Sequence, residues 1–167
     1  MPSTHSPESP PTITREGREY VLRSSQRFPG SPEDVFPFFS DARNLELITP
    51  DSIKFRILTP VPIDMHEGTL IDYALRIRGI PVKWRTLITV WDPPYRFVDE
   101  QLRGPYRQWI HEHTFTDEGS TTLMEDTVRY RVYGGALINK LFVQPDVTKI
   151  FNSRTEVLKK QFPQRET

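Results

Sequence analysis

The chain has 167 residues, enough for one domain with a sizeable core. Its 22 Lys and Arg balance 22 Asp and Glu, which argues against nucleic acid as a partner, because phosphate binding leaves a basic surplus. It has no cysteine, which excludes a disulfide framework, a thiolate metal centre and a cysteine nucleophile, and fits a reducing, cytoplasmic setting.

Residues 1–15 are rich in Pro, Ser and Thr. So little apolar surface cannot offset ordering entropy, so the reading here is a flexible tail, followed by one domain over residues 16–165. No apolar run approaches the roughly 20 residues of a membrane span, and the N-terminus lacks the charged-then-apolar order of a signal peptide. Tyr20 to Phe28 reads as a first strand, ended by Pro29-Gly30. Ser31-Pro32-Glu33-Asp34 then signals a helix start: a capping hydroxyl, proline at the first helical position and acids in the first turn. A second short helix is expected through Leu45, Leu47 and Ile48, stopped by Thr49-Pro50.

Strands follow at Ile53 to Leu58, Thr69 to Ile77, Lys83 to Trp91 and Phe97 to Leu102. On the third of these, Trp84, Thr86, Ile88 and Val90 share a face. Gly79-Ile80-Pro81 and Asp92-Pro93-Pro94-Tyr95 mark turns between them, as expected of an antiparallel meander. After Gly134-Gly135, the residues Val147, Ile150, Phe151, Arg154, Leu158 and Phe162 recur at three- and four-residue steps, the stripe of a long helix. This order is an α+β pattern: a curved antiparallel sheet of about seven strands, two short helices after the first strand, and a terminal helix covering the apolar face of the sheet.

The stretch from Gly104 to Tyr130 carries the chemistry. Trp109, His111, His113 and Phe115 alternate on one strand, and Met124, Asp126, Val128 and Tyr130 on the next. Period two places each set on one side of its strand. Apolar walls with a few converging polar groups are the composition of a ligand pocket. Tyr73, Trp84, Trp109, His113, Phe115, Met124, Asp126, Tyr130, Phe151 and Arg154 are therefore the candidate ligand-binding residues. His111, His113 and Asp126 are the candidate catalytic ones. The plainer alternative is a mixed core in which each histidine satisfies a hydrogen bond.

His111 and His113 could both reach one metal, but a third ligand would have to come from Asp126 or another nearby carboxylate. Neither metal nor cofactor is expected. Arg154 lies in the middle of an apolar stripe. Either it reaches Asp126 or Asp99 and ties helix to sheet, or its stem packs while its head snorkels to water.

Several segments resemble one superfamily. Ser31-Pro32-Glu33-Asp34-Val35-Phe36, Asn44-Leu45-Glu46 leading to Ile48-Thr49-Pro50, Phe97-Val98-Asp99-Glu100-Gln101, Gly104-Pro105-Tyr106, the Trp109 to Phe115 alternation and Ile150-Phe151 with Arg154 look like a bacterial ligand-binding branch of the SRPBCC superfamily. That superfamily includes START domains, birch-pollen allergens and polyketide cyclases. The resemblance covers about Tyr20 to Phe162 and implies a helix-grip fold.

The leading functional expectation is binding or transport of a small hydrophobic ligand (a lipid, polyketide or aromatic metabolite) between the sheet and the terminal helix. The short helices and the loop from Pro60 to Gly68 would frame its entrance. The alternative is a polyketide cyclase, aromatase or dehydratase using a histidine as general base. Neither nucleic acid nor integral membrane association is expected.

Overall fold

A computed structural model describes residues 8–163. In chain order it contains β1 (Ser9–Glu16), β2 (Glu19–Pro29), α1 (Pro32–Ser40), α2 (Asn44–Ile48), β3 (Arg56–Ile57), β4 (Leu70–Ile77), β5 (Ile80–Asp92), β6 (Arg96–Arg103), β7 (Gln108–Asp117) and β8 (Thr121–Arg131). The last strand is followed by α3 (Gly135–Ile138), a π-helical turn over Asn139–Val143, and α4 (Gln144–Gln161). The eight strands form one sheet in the order β1-β2-β8-β7-β6-β5-β4-β3, each pair antiparallel. The sheet wraps α4, and this arrangement is the helix-grip fold.

Local chemistry explains the elements that frame the interior. The Ser31 backbone N–H donates to Asp34 Oδ2 at 3.0 Å, closing the first turn of α1. That helix then presents Val35, Phe36 and Phe39 to the sheet, all buried. Between β4 and β5, Arg78 and Gly79 have φ of 50° and 80°. Two successive left-handed residues make the tight turn whose twist suits a two-residue hairpin. Pro145 sits in the first turn of α4, where its missing N–H costs nothing.

Three expectations are corrected. The expected tail does not run through Arg15, because Ser9–Glu16 is a strand paired with β2. Its hydrophobic signal is faint, with Ile13 alone packed against the core. Pro10 and Pro11 are tolerated because β1 is an edge strand, and the register shifts between Ser9 and Thr12, across the two prolines. Residues 1–7 of that expected tail lie outside the described residues. Second, the strand expected over residues 53–58 reduces to Arg56–Ile57; Asp51–Ile53 is a 3-10 turn ended by Lys54 at φ 50°. Third, β5 does not keep one phase to its end. A register shift between Ile88 and Val90 turns Trp91 inward in place of Val90. Trp91 then packs against Phe36 and Phe97, with ring centroids 5.4 and 5.8 Å away.

The core divides into three groups. One joins α1, α4 and the sheet through Phe28, Phe36, Phe39, Phe115, Met124 and Leu158. A second joins β2 and β8 to α4 through Leu22, Val128, Tyr130, Val147 and Phe151. The third lies over β4 with Ala42, Ile71, Tyr73 and Leu75. Burial of an aliphatic or aromatic side chain contributes about 1.5–3 kcal/mol, so these groups set the positions of the elements around the space between them.

Candidate functional site

That space is a cavity of about 210 Å³ between the sheet and α4. It exceeds the volume one water needs by about an order of magnitude. Ile71, Tyr73 and Leu75 of β4 and Trp84, Thr86 and Ile88 of β5 form one wall. Phe97 and Asp99 of β6, with Trp109, His111 and His113 of β7, form the next. Val147, Ile150, Phe151 and Arg154 close it from α4, while Leu45, Ile48 and Met65 reach it from α2 and the loop before β4.

Trp84 and Trp109 meet edge to face at 5.5 Å, and Tyr106 packs against both. Such pairs hold large side chains in defined positions. Burial pushes the Tyr73 and Tyr106 phenols far above their usual range, so both stay protonated. The wall is therefore uncharged and largely apolar, except at one end.

At that end four side chains converge because of strand register. Asp99 pairs with His111 across β6 and β7, and His113 pairs with Asp126 across β7 and β8. His111 Nε2 lies 2.8 Å from Asp126 Oδ1, and His113 Nε2 lies 3.0 Å from Asp99 Oδ2. The remaining ring nitrogens complete a ladder: His113 Nδ1 is 3.1 Å from Asp126 Oδ1, and His111 Nδ1 is 3.7 Å from Asp99 Oδ2. The His113 Nδ1 contact is short but poorly aligned, and that nitrogen makes no hydrogen bond. The two rings lie 3.8 Å apart, and Phe97 stacks on His113 at 4.0 Å.

Arg154 comes down from α4 onto this group. Its Nη2–H donates to Asp126 Oδ1 at 3.3 Å, and its guanidinium lies 5.8 and 5.7 Å from the Phe39 and Phe151 ring centres. Those distances are in cation–π range. Of the two alternatives for Arg154, the geometry is that of the buried tie, with the whole residue only 8% exposed.

The electrostatics follow from these contacts. Burial opposes ionisation of Asp126, but Arg154, His111 and His113 outweigh it and hold the carboxyl well below the usual range. Asp99 is likewise lowered: burial opposes ionisation, but the His113 hydrogen bond and nearby positive charge prevail. Burial acts against the charged form of both imidazoles. His113 is nonetheless raised, by its two carboxylate neighbours, whereas His111 is lowered, by burial and by the charge of His113. The surroundings thus set the two imidazoles apart, with His113 favoured over His111 for a proton.

Of the residues expected to bind ligand, Tyr73, Trp84, Trp109, His113, Phe151 and Arg154 line the cavity. Phe115 and Met124 lie in the closed aromatic group under α1, outside the lining. Asp126 stands behind the histidines, and Tyr130 is fully buried with its hydroxyl donating to Asn139 Oδ1 at 3.1 Å. The catalytic candidates His111, His113 and Asp126 do converge. Periodicity marks Asp99 only as a partner for Arg154, yet it belongs to the same group. Its phase with Phe97 is the available signal, but the partnership with both histidines depends on the β6–β7 register.

No family model matches the chain, and no curated protein matches its sequence. Solved structures do match. Protein Ms6760 from Mycobacterium smegmatis aligns with TM-score 0.64 and 18% identity over 91% of this chain and 97% of its own. TTHA0849 from Thermus thermophilus aligns with TM-score 0.67 and 20% identity over 85% and 96%. Ginseng major latex-like protein 151 from Panax ginseng aligns with TM-score 0.63 and 11% identity over 89% and 100%. At these identities the likeness is one of fold, and the fold shared nearly end to end is the helix grip.

Proposed function

We infer that the chain binds a small hydrophobic molecule with one polar end, held between the sheet and α4. The observation that carries this reading is the asymmetry of the cavity. Its walls are aromatic and aliphatic, and its charged groups, Asp99, His111, His113 and Arg154, gather at one end. Apolar walls supply affinity and a few fixed polar groups supply orientation. The fold likeness to the ginseng latex-like protein, with the motif resemblance to bacterial ligand-binding SRPBCC proteins, supports the same assignment. Among the described residues no helix is long and apolar enough to cross a membrane. With the absence of cysteine, we take the cytoplasm as the setting.

A second reading is favoured by one observation: two imidazoles stand in the cavity wall, with the Asp126 carboxylate 2.8 Å behind one of them. A histidine oriented by a carboxylate is the arrangement of a general base. A cyclase or dehydratase acting on a polyketide-like substrate would use it.

The test is native mass spectrometry of the protein purified from its own host, beside denaturing extraction. A stoichiometric hydrophobic ligand is expected. Ala42 lines the cavity and is 5% exposed, so Ala42→Phe should fill the space and abolish uptake of that ligand. Undiminished binding by a folded Ala42→Phe protein would place the ligand elsewhere.

A further inference from the structure

The ladder of imidazoles and carboxylates has a geometry that hydrogen bonding alone does not require. One carboxylate oxygen, Asp99 Oδ2, faces a nitrogen of each histidine, His113 Nε2 at 3.0 Å and His111 Nδ1 at 3.7 Å. The other nitrogen of each ring faces one oxygen of Asp126, at 2.8 and 3.1 Å. Each imidazole therefore turns one nitrogen to a carboxylate in the cavity wall and the other to a carboxylate behind it.

We propose that Asp99, His111 and His113 form a binding site for one divalent first-row transition ion, with Asp126 as its supporting carboxylate. With bonds of about 2.0–2.1 Å to nitrogen or oxygen, neighbouring ligands on one ion stand roughly 2.9 Å apart in octahedral and 3.3 Å in tetrahedral geometry. The two Asp99 separations bracket the tetrahedral value. One donor atom from each of the three residues lies within 4.8 Å of the others, so a small swing of the rings completes the set.

Three further features agree. Asp126 occupies the position in which a carboxylate orients a metal-bound imidazole through its second nitrogen. Asp99, His111 and His113 line the cavity, whereas Asp126 does not, so the remaining coordination positions of an ion held there would open to the cavity. Two carboxylates against the single guanidinium of Arg154 leave one negative charge for a cation, proton or metal, to balance. Two histidines and one carboxylate with open positions suit zinc or ferrous iron. The organic ligand that would complete such a site carries an oxygen donor, such as a carboxylate, enolate or phenolate, on a hydrophobic body.

The metal site involves only the polar end of the cavity, and its test uses the metal alone, so its failure leaves the hydrophobic-ligand reading standing. The full chain is stripped with chelator and titrated with Zn²⁺ by calorimetry. In parallel, ¹⁵N-labelled histidine is observed by NMR. The expected result is one ion per chain, with metal shifts on His111 Nδ1 and His113 Nε2 and none on His66. Asp126→Asn should weaken uptake by about 10–100-fold, as loss of a supporting carboxylate does, and Asp99→Asn by more. Absence of saturable uptake by the wild type overturns the proposal. So do resonance shifts confined to His5 and His66, or full affinity in a folded Asp99→Asn protein. The NMR measurement on the wild type decides the matter even if a variant fails to fold.

Discussion

Arg154→Met isolates the tie between α4 and the sheet. Arg154 and Asp126 are 8% and 5% exposed, and their ion pair spans 3.3 Å. Met replaces the stem of the arginine but leaves Asp126 without its guanidinium. Breaking a buried pair by removing one partner costs about 3–5 kcal/mol. Asp126 keeps its 2.8 Å contact with His111, which places the expected loss near the lower bound, about 3 kcal/mol. With a urea slope of about 2 kcal/mol/M, that is a midpoint shift of about 1.5 M.

The pH dependence supplies the sign. The Asp126 carboxyl is lowered well below its ordinary value, with Arg154 first among the groups that overcome burial. A carboxylate lowered in the folded state stabilises it fully above the unfolded pKa, about 3.9. That stabilisation is lost as pH falls toward the folded value. The gap between wild type and Arg154→Met should therefore be widest near pH 7 and narrow below about pH 4. Urea unfolding of both proteins across that range is the assay. A loss under about 1 kcal/mol at pH 7, or a gap unchanged on acidification, would refute the buried-pair argument.

Other substitutions probe what surrounds the site. Tyr130→Phe removes the hydroxyl bonded to the buried Asn139 Oδ1; leaving that oxygen unsatisfied should cost about 1–3 kcal/mol in urea unfolding. Phe115→Ala opens a hole among Phe36, Phe39 and Phe97, with an expected loss of about 3–5 kcal/mol. Because Phe115 does not line the cavity, the folded variant should still bind ligand, and a lost affinity with little lost stability would contradict that placement.

Local chemistry is legible in the amino-acid sequence alone. Ser31 through Asp34 announces α1 because capping and the proline at its start act within one turn. The inward phase of Trp109, His111, His113 and Phe115 is legible because a pleated strand alternates with period two whatever lies beside it. The stripe from Val147 to Leu158 likewise marks the helix face that meets the sheet.

Other features depend on pairings between distant segments. β1 carries one packed apolar residue, so its strand character comes from hydrogen bonding to β2, which its own composition does not reveal. The bulge in β5 inverts the phase of Trp91 because β6 sets the register there. Above all, periodicity can place two histidines and an acid on common faces, but only the alignment of β6, β7 and β8 puts Asp99 on one side of the imidazoles and Asp126 on the other. Side-chain alternation is a property of one strand, whereas register and the space left under α4 are properties of the assembled sheet.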